Sequence, residues 1–295
     1  MKCSRTKGEV FFIFQLTTEP KTYSKIRRKT TTHTTDLHSD DTLTHTISAG
    51  HAMNITPFTQ ALQHAGFEIA HAFPIDALGT SCLETLPPLS SSTTCGILIG
   101  NTITAWQPFL LWLRQQPDWQ GIADPFNAFS EHTIHTQCQK FFSPVRVLWT
   151  HETKSYIVPA QKIAHESGLA FRSAGQFNIH PQFGPWFALR ALVLLDTTPK
   201  PEATEAQNPS SARIEEQASA RFQELYKNLQ HTTDIKTVQQ QWKAWLTLRD
   251  IYKVGKEYRY TNPQIQYHYT HDKQVLAQEL NRLSAANKIW SKSQP

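Results

Sequence analysis

The run Trp186-Phe187-Ala188-Leu189-Arg190-Ala191-Leu192-Val193-Leu194-Leu195 constrains this chain more than any other stretch, because every position except Arg190 is apolar. Such residues suit a pleated, buried surface. A strand that is apolar on both sides is one covered on both faces, although periodicity alone does not separate it from a buried helix segment. The run is entered through Ile179-His180-Pro181-Gln182-Phe183-Gly184-Pro185, where two prolines restrict φ and Gly184 can take a positive φ. Upstream, Gln176-Phe177-Asn178-Ile179-His180 alternates polar and apolar side chains, which predicts a hairpin across the turn. Arg190 breaks the pattern. A charge on a core strand is either paired or faces a site, and a structural ion pair is as reasonable here as a ligand anchor.

Composition narrows the classes. With 39% hydrophobic and 18% charged residues among 295, the chain can build a core, so wholesale disorder is excluded. The net charge of +5 is compatible with nucleic acid, a membrane surface or small anions. No Lys/Arg-dense stripe with interleaved aromatics supports nucleic acid, and no apolar run approaches the ~20 residues of a membrane helix. The four cysteines, Cys3, Cys82, Cys95 and Cys138, lack zinc or iron–sulfur spacing and make no disulfide framework. No metal site is expected, and reduced thiols point to the cytoplasm.

Residues 1–52 are rich in Thr, Ser, Lys and His, and read as disorder or a non-native extension, with Met53 an attractive alternative start. Asp36, Asp40 and Asp41 argue against a transit peptide there. Residues 53–198 are expected to form a sheet-containing core, 199–211 a polar linker, and 212–290 a set of helices packed on the core. Within the core the pattern predicts a helix ending at Gly66, an extended segment from Gly66, and a loop from Leu86 to Thr94. A buried strand over Gly96–Gly100 follows, then a helix capped by Asn101 or Thr102 and another opened by Asp124-Pro125 and running to Phe142. A strand over Val145–Trp149 and a helix from Pro159 to Ser167, stopped by Gly168, lead to the hairpin. Beyond the linker, three helical patterns cover Ala212–Leu229, Asp234–Val254 and Pro263–Leu283. Together these predict an α+β or α/β layered fold around one sheet.

Three places carry candidate chemistry. His165-Glu166-Ser167-Gly168 matches part of the Asp-x-His-x-x-Gly pattern in which histidine ligates the cobalt of cobalamin. Ile163 stands where that pattern has aspartate, so no carboxylate orients the imidazole, and a helix-end histidine is the plainer reading. The second place is the hairpin. The third is the tail, where Trp245, Leu248, Arg249, Tyr260, Gln264 and Tyr267-His268-Tyr269 concentrate arginine, aromatic and amide groups, or else form a solvated helical face with half-buried tyrosines.

The segment Ile179–Leu195 resembles the signature hairpin of the cobalamin-processing CblC, or MMACHC, family, and weaker similarity extends over roughly residues 57–280. The resemblance implies a flavin-reductase or nitroreductase-like sheet with flanking helices and a C-terminal helical segment. It implies cobalamin held base-off, with no histidine below the metal. The cobalamin-binding positions it points to are Thr150, Val158, Pro159, Ala160, Gln161, His165, Phe171, Arg172, Gly175 and Leu189. Arg190, Arg249 and Tyr260 are implied as the residues for glutathione, because the planar fork of arginine suits a carboxylate. Arg172 departs from the family's tyrosine, Gly175 from the vertebrate serine, and the family's third arginine falls near Gln274. The implied activity is removal of the upper axial ligand, by decyanation with reduced FMN or FAD or by glutathione-dependent dealkylation. The chemistry centres on cobalt, so no catalytic side chain is expected. A downstream B12-handling protein and a ligand-induced homodimer are the implied partners. The alternatives are a nitroreductase-like flavin enzyme, a non-catalytic B12 carrier, and an epoxyqueuosine reductase, whose iron–sulfur cysteine runs are absent from this sequence.

Overall fold

A computed structural model of the chain describes residues 55–142, 145–196, 202–229 and 241–292. The expectations for residues 1–52, and for part of the linker and of the Asp234–Val254 helix, lie outside the described residues. The fold is α+β. Four strands, β1 (Ile69–Pro74), β2 (Cys95–Asn101), β3 (Arg146–Trp149) and β6 (Ala188–Leu195), form one sheet in the order β1-β2-β6-β3 with every neighbour antiparallel. Two short strands, β4 (Phe171–Arg172) and β5 (Asn178–Ile179), pair separately.

The apolar run behaves as its composition requires. β2 and β6 are the central strands, and both faces are covered. On one face Ile97, Ile99, Ala191, Val193 and Leu195 meet α1 (Thr56–His64), α3 (Trp106–Arg114) and α4 (Pro125–Phe141) through Phe58, Leu62, Phe109, Leu110, Phe126 and Phe129. On the other, Leu98, Leu192 and Leu194 pack with Ile163 and Ala164 of α5 (Ala160–Glu166) and with Cys82 of α2 (Thr80–Leu83). The helix starts follow local chemistry: Asp124 accepts from Asn127 N at 3.0 Å at the head of α4, and Thr102 caps the turn leading to α3. Gly168, at φ +83°, ends α5.

The predicted hairpin is corrected. β5 pairs with β4, not with β6, and one isolated bridge, His180 to Gly184, is what joins the two sides of the turn. β6 instead pairs with β2 and β3. The alternation of Gln176–His180 was real, but its partner is Phe171–Arg172, a segment too short to stand out as a strand in sequence.

β6 also carries a bulge. The register runs Ile99 to Ala191 and then Gly100 to Leu189, so Arg190 is the extra residue. Consequently Leu189 shares a face with Leu192 and Leu194, while Arg190 and Ala191 both turn toward the α3/α4 side. Thr150 closes the bulge: its N–H donates to Arg190 O at 3.0 Å and its hydroxyl to Leu189 O at 2.8 Å.

The C-terminal helices pack on this frame. α6 (Ala212–Leu229) and α7 (Trp242–Arg249) bury Ala218, Phe222, Leu225, Trp245 and Leu248 against Ile179 of β5. The helix expected to reach Val254 stops at Arg249. The one expected from Pro263 to Leu283 is two helices, α8 (Asn262–Thr270) and α9 (Lys273–Lys292), broken where His271 takes a left-handed φ of 52° and Asp272 accepts from Gln274 N at 2.9 Å. Both ends carry their own caps, which outweighs the continuous apolar period.

Candidate functional site

A cleft open to solvent lies where the turn, the short β4–β5 pair and α7 meet. Its floor is Pro185, Phe187 and Leu189; one wall is Gln161 of α5 with Phe177 and Asn178; the other is Trp245, Leu248 and Arg249 of α7 with Tyr269 of α8. The lining is thus mostly apolar, with two amides, one guanidinium and one phenol, the make-up of a small-molecule site. The β6 bulge is what directs Leu189 into this floor.

Asn178 is 6% exposed. Its Nδ2 donates to the backbone carbonyls of Gln161 at 3.0 Å and Ala170 at 3.2 Å. Trp186, buried beneath the turn, packs against two guanidinium groups, Arg249 at 5.8 Å and Arg259 at 5.2 Å from its ring centre. Arg259 is tied to Asp250 in a fork, 2.9 and 3.3 Å. Arg249 has no carboxylate at ion-pair distance among the described residues, so its charge is available at the cleft wall.

A second polar group lies on the α3/α4 side. The Arg190 Nε donates to Asn101 Oδ1 at 2.7 Å, and its guanidinium sits 4.5 Å from the Phe126 ring centre. Burial lowers its pKa from the ordinary arginine value, and Tyr260, Asp124 and Tyr267 oppose that shift. No ion pair to Arg190 is formed among the described residues. Tyr260, Gln264 and His268 follow one another at four-residue spacing, and Gln264 and His268 share one face of α8. The Tyr260 hydroxyl, both Gln264 amide atoms and His268 Nε2 are buried without a hydrogen-bond partner among the described residues. Burial pushes the Tyr260 phenol up to about 12, against the pull of Arg249 and Arg190. It also keeps His268 neutral, with both arginines acting in the same sense. Arg249 therefore links the two groups: it lines the cleft, and its charge is felt at Tyr260.

Of the residues singled out in the sequence, Gln161, Leu189, Trp245, Leu248, Arg249 and Tyr269 line the cleft. Thr150 is buried at the bulge, and Val158 and Ala160 are buried in the core under α5. Pro159 is the residue before α5, with its carbonyl already accepting from Lys162 and Ile163 N. His165, one turn beyond Gln161, packs edge-on against Phe171 at 5.6 Å, and its Nδ1 accepts from Arg172 N at 3.5 Å. Arg172 is exposed and reaches Gln176. Gly175 is buried, its N–H donating to the Tyr252 hydroxyl at 3.3 Å. Arg190 and Tyr260 belong to the second polar group, not to the cleft lining. Phe177, Asn178, Phe187 and Asn101 were not picked out as site residues, and Gln264 and His268 were named as part of the tail cluster without a role. The density of amide and aromatic side chains in the tail was the signal for Gln264 and His268; nothing marked Asn178 beyond its place in an alternating run.

Cys82 and Cys138 are free thiols, and both are buried, as is Cys95. Burial pushes the thiols of Cys82 and Cys138 up to about 12, so neither is a nucleophile at neutral pH. Among the described residues no cluster of three His, Cys, Asp or Glu could hold a metal, and no helix is long and apolar enough to cross a membrane.

No family model matches the chain. It is 26% identical over 235 residues to a Danio rerio protein named cyanocobalamin reductase / alkylcobalamin dealkylase, covering 72% of this chain and 86% of that one. Among solved structures it is similar to a C. elegans B12-trafficking protein, CblC, described as a human MMACHC homologue. The TM-score is 0.58, with 19% identity, and the match covers 75% of this chain and 94% of that one.

Proposed function

We propose, on a resemblance to the CblC family that the sequence and fold comparisons both bear out, that this chain binds cobalamin and removes its upper axial ligand. The observation that carries the reading is the cleft: a mostly apolar floor and walls, open on one side, with amides and a guanidinium at its edge. A flat, amide-fringed macrocycle lays its apolar ring on Phe187, Leu189 and Leu248 and its fringe on Gln161, Asn178 and Arg249. Holding the ring there while the nucleotide base stays in solvent makes cobalt easier to reduce, because axial ligation sets its potential.

Once the base is off, two reactions follow from the same posture. One electron releases cyanide and leaves cobalt(II); reduced FMN or FAD is the expected donor. Alternatively an external thiolate attacks the alkyl carbon, forming a thioether and leaving cobalt(I). The thiol comes from outside, since Cys82 and Cys138 are held protonated by burial. Glutathione is the expected thiol, with Arg249 and Arg190 anchoring its carboxylates and Tyr260 beside them. His165, Phe171, Arg172 and Gly175, with Thr150, Val158, Pro159 and Ala160, are the further cobalamin-binding positions of this reading. Passage of the product to a downstream B12-handling protein, and pairing of two copies on ligand binding, complete the reading.

The test is anaerobic. Cyanocobalamin with reduced flavin and the protein should give the cobalt(II) spectrum and free cyanide; methylcobalamin with glutathione should give S-methylglutathione. Arg190→Ala should lose the thiol reaction more than it loses cobalamin binding. Absence of both reactions would overturn the enzymatic reading and leave a carrier. Equal loss of binding and dealkylation in Arg190→Ala would make that arginine structural.

A further inference from the structure

One residue that lines the cleft carries an acceptor with no hydrogen-bond partner among the described residues. Asn178 has both its amide protons committed, to Gln161 O at 3.0 Å and Ala170 O at 3.2 Å. Two carbonyl oxygens on that side fix which end of the amide is nitrogen, so the remaining end is oxygen. That oxygen, Oδ1, is buried and has no hydrogen-bond partner among the described residues. A buried acceptor left unpaired is unfavourable. The position is also held firmly: Arg172 pairs with it across β4–β5, and the next residue, Ile179, is fully buried against α6 and α7. The residue lines the cleft beside Gln161 and Phe177.

We propose that Asn178 Oδ1 is the subsite for a neutral N–H donor on the ligand's edge, a primary amide, and that it makes the cleft select amide-fringed rings over ester- or acid-fringed ones. The inference rests on the corrinoid reading of the cleft. A lone acceptor repels a carboxylate and gains nothing from an ester, which offers no proton. The side chains of the wall part as the ring enters, and one amide N–H of the ring meets Oδ1. The discrimination comes chiefly from the unmade bond: a ring without the donor leaves Oδ1 desolvated and unpaired. Arg249, across the cleft, supplies the opposite preference, so the two walls read different groups on one ligand.

The probes are two corrins with the same ring and the same dicyano cobalt: dicyanocobinamide, whose fringe is amides, and dicyanocobyrinic acid heptamethyl ester, whose fringe is esters. The full chain should bind the amide ring tighter. Asn178→Leu should shrink that preference, the ratio of the two affinities, by about five- to tenfold, the worth of one hydrogen bond to a buried acceptor. A circular dichroism spectrum and melting curve close to those of the wild type show that the variant is folded. If it does not fold, Asn178→Ala, which adds no bulk, carries the same comparison. A wild-type protein with no preference overturns the inference whatever the variants do, and so does a preference that survives the substitution. If the wild type binds neither ring, the corrinoid reading falls and takes this inference with it. If both rings bind without discrimination, the inference alone falls.

Discussion

Arg190 is one residue whose oddity in the sequence has a definite structural cause. A charged side chain in an apolar run reads as a conflict, and the bulge resolves it by turning the side chain onto Asn101 and Phe126 without disturbing the leucines on either side. His180 is the opposite case: unremarkable in sequence, constrained in the structure. Its Nδ1 accepts from Gln182 N at 3.1 Å and Phe183 N at 3.2 Å, which fixes the neutral Nε2–H tautomer. Burial, with His71 nearby, lowers its pKa to about 4. The unfolded chain protonates this histidine near ~6.5. Between those values the unfolded state binds a proton that the folded state does not, so stability is full above pH ~6.5 and falls as the pH drops toward 4. His71 and His268 are lowered by burial as well and add to the same slope. Urea titrations from pH 7 to pH 4.5 should show that decline. His180→Asn, which keeps an acceptor near Nδ1 but does not titrate, should remove about one proton's share, ~1.4 kcal/mol per pH unit. A pH profile unchanged by the substitution would show that His180 is not among the titrating groups.

Among the elements, the contact between the turn and the helical tail decides the site. Gly184, at φ +56°, and Gly255, at φ +69°, lie back to back, so that a Cβ on either would collide with the backbone of the other segment. This close approach seats the Arg249–Arg259 segment over Trp186 and sets α7 as a wall of the cleft. Gly255→Ala should cost on the order of 2–4 kcal/mol, combining a strained φ with a steric clash. Thermal unfolding should report it as a fall of several degrees. If Gly255→Ala melts with the wild type, the packing of tail on turn is looser than described. Gly184 was legible in sequence as a turn glycine, but Gly255 was not, because its partner lies seventy or so residues away in the chain. The same divide runs through the whole element list. Segments announced by local chemistry, such as Asp124-Pro125, Gly168 and the unbroken apolar run of β6, appear where the sequence places them. What failed is what depends on distant pairing: the partner of β5, the bulge, and the break between α8 and α9 at His271. The site divides likewise. Gln161, Leu189 and Arg249 were readable from the family resemblance, whereas Asn178 acquires its meaning only from carbonyls on α5 and the loop after it.

At the scale of the molecule, a sandwiched antiparallel sheet supplies a rigid floor, and helices from the last third of the chain supply the far wall. Neither part makes a site alone. Phe187 and Leu189 belong to the sheet side of the cleft, Trp245 and Leu248 to the tail. The account's central claim is that this cleft grips a corrin and leaves its nucleotide base in solvent. Titrating cyanocobalamin with the purified protein, and recording the visible spectrum, tests that claim without any reductant or thiol. The account predicts conversion from the base-on to the base-off spectrum as the protein saturates. A spectrum that stays base-on at saturating protein would contradict it.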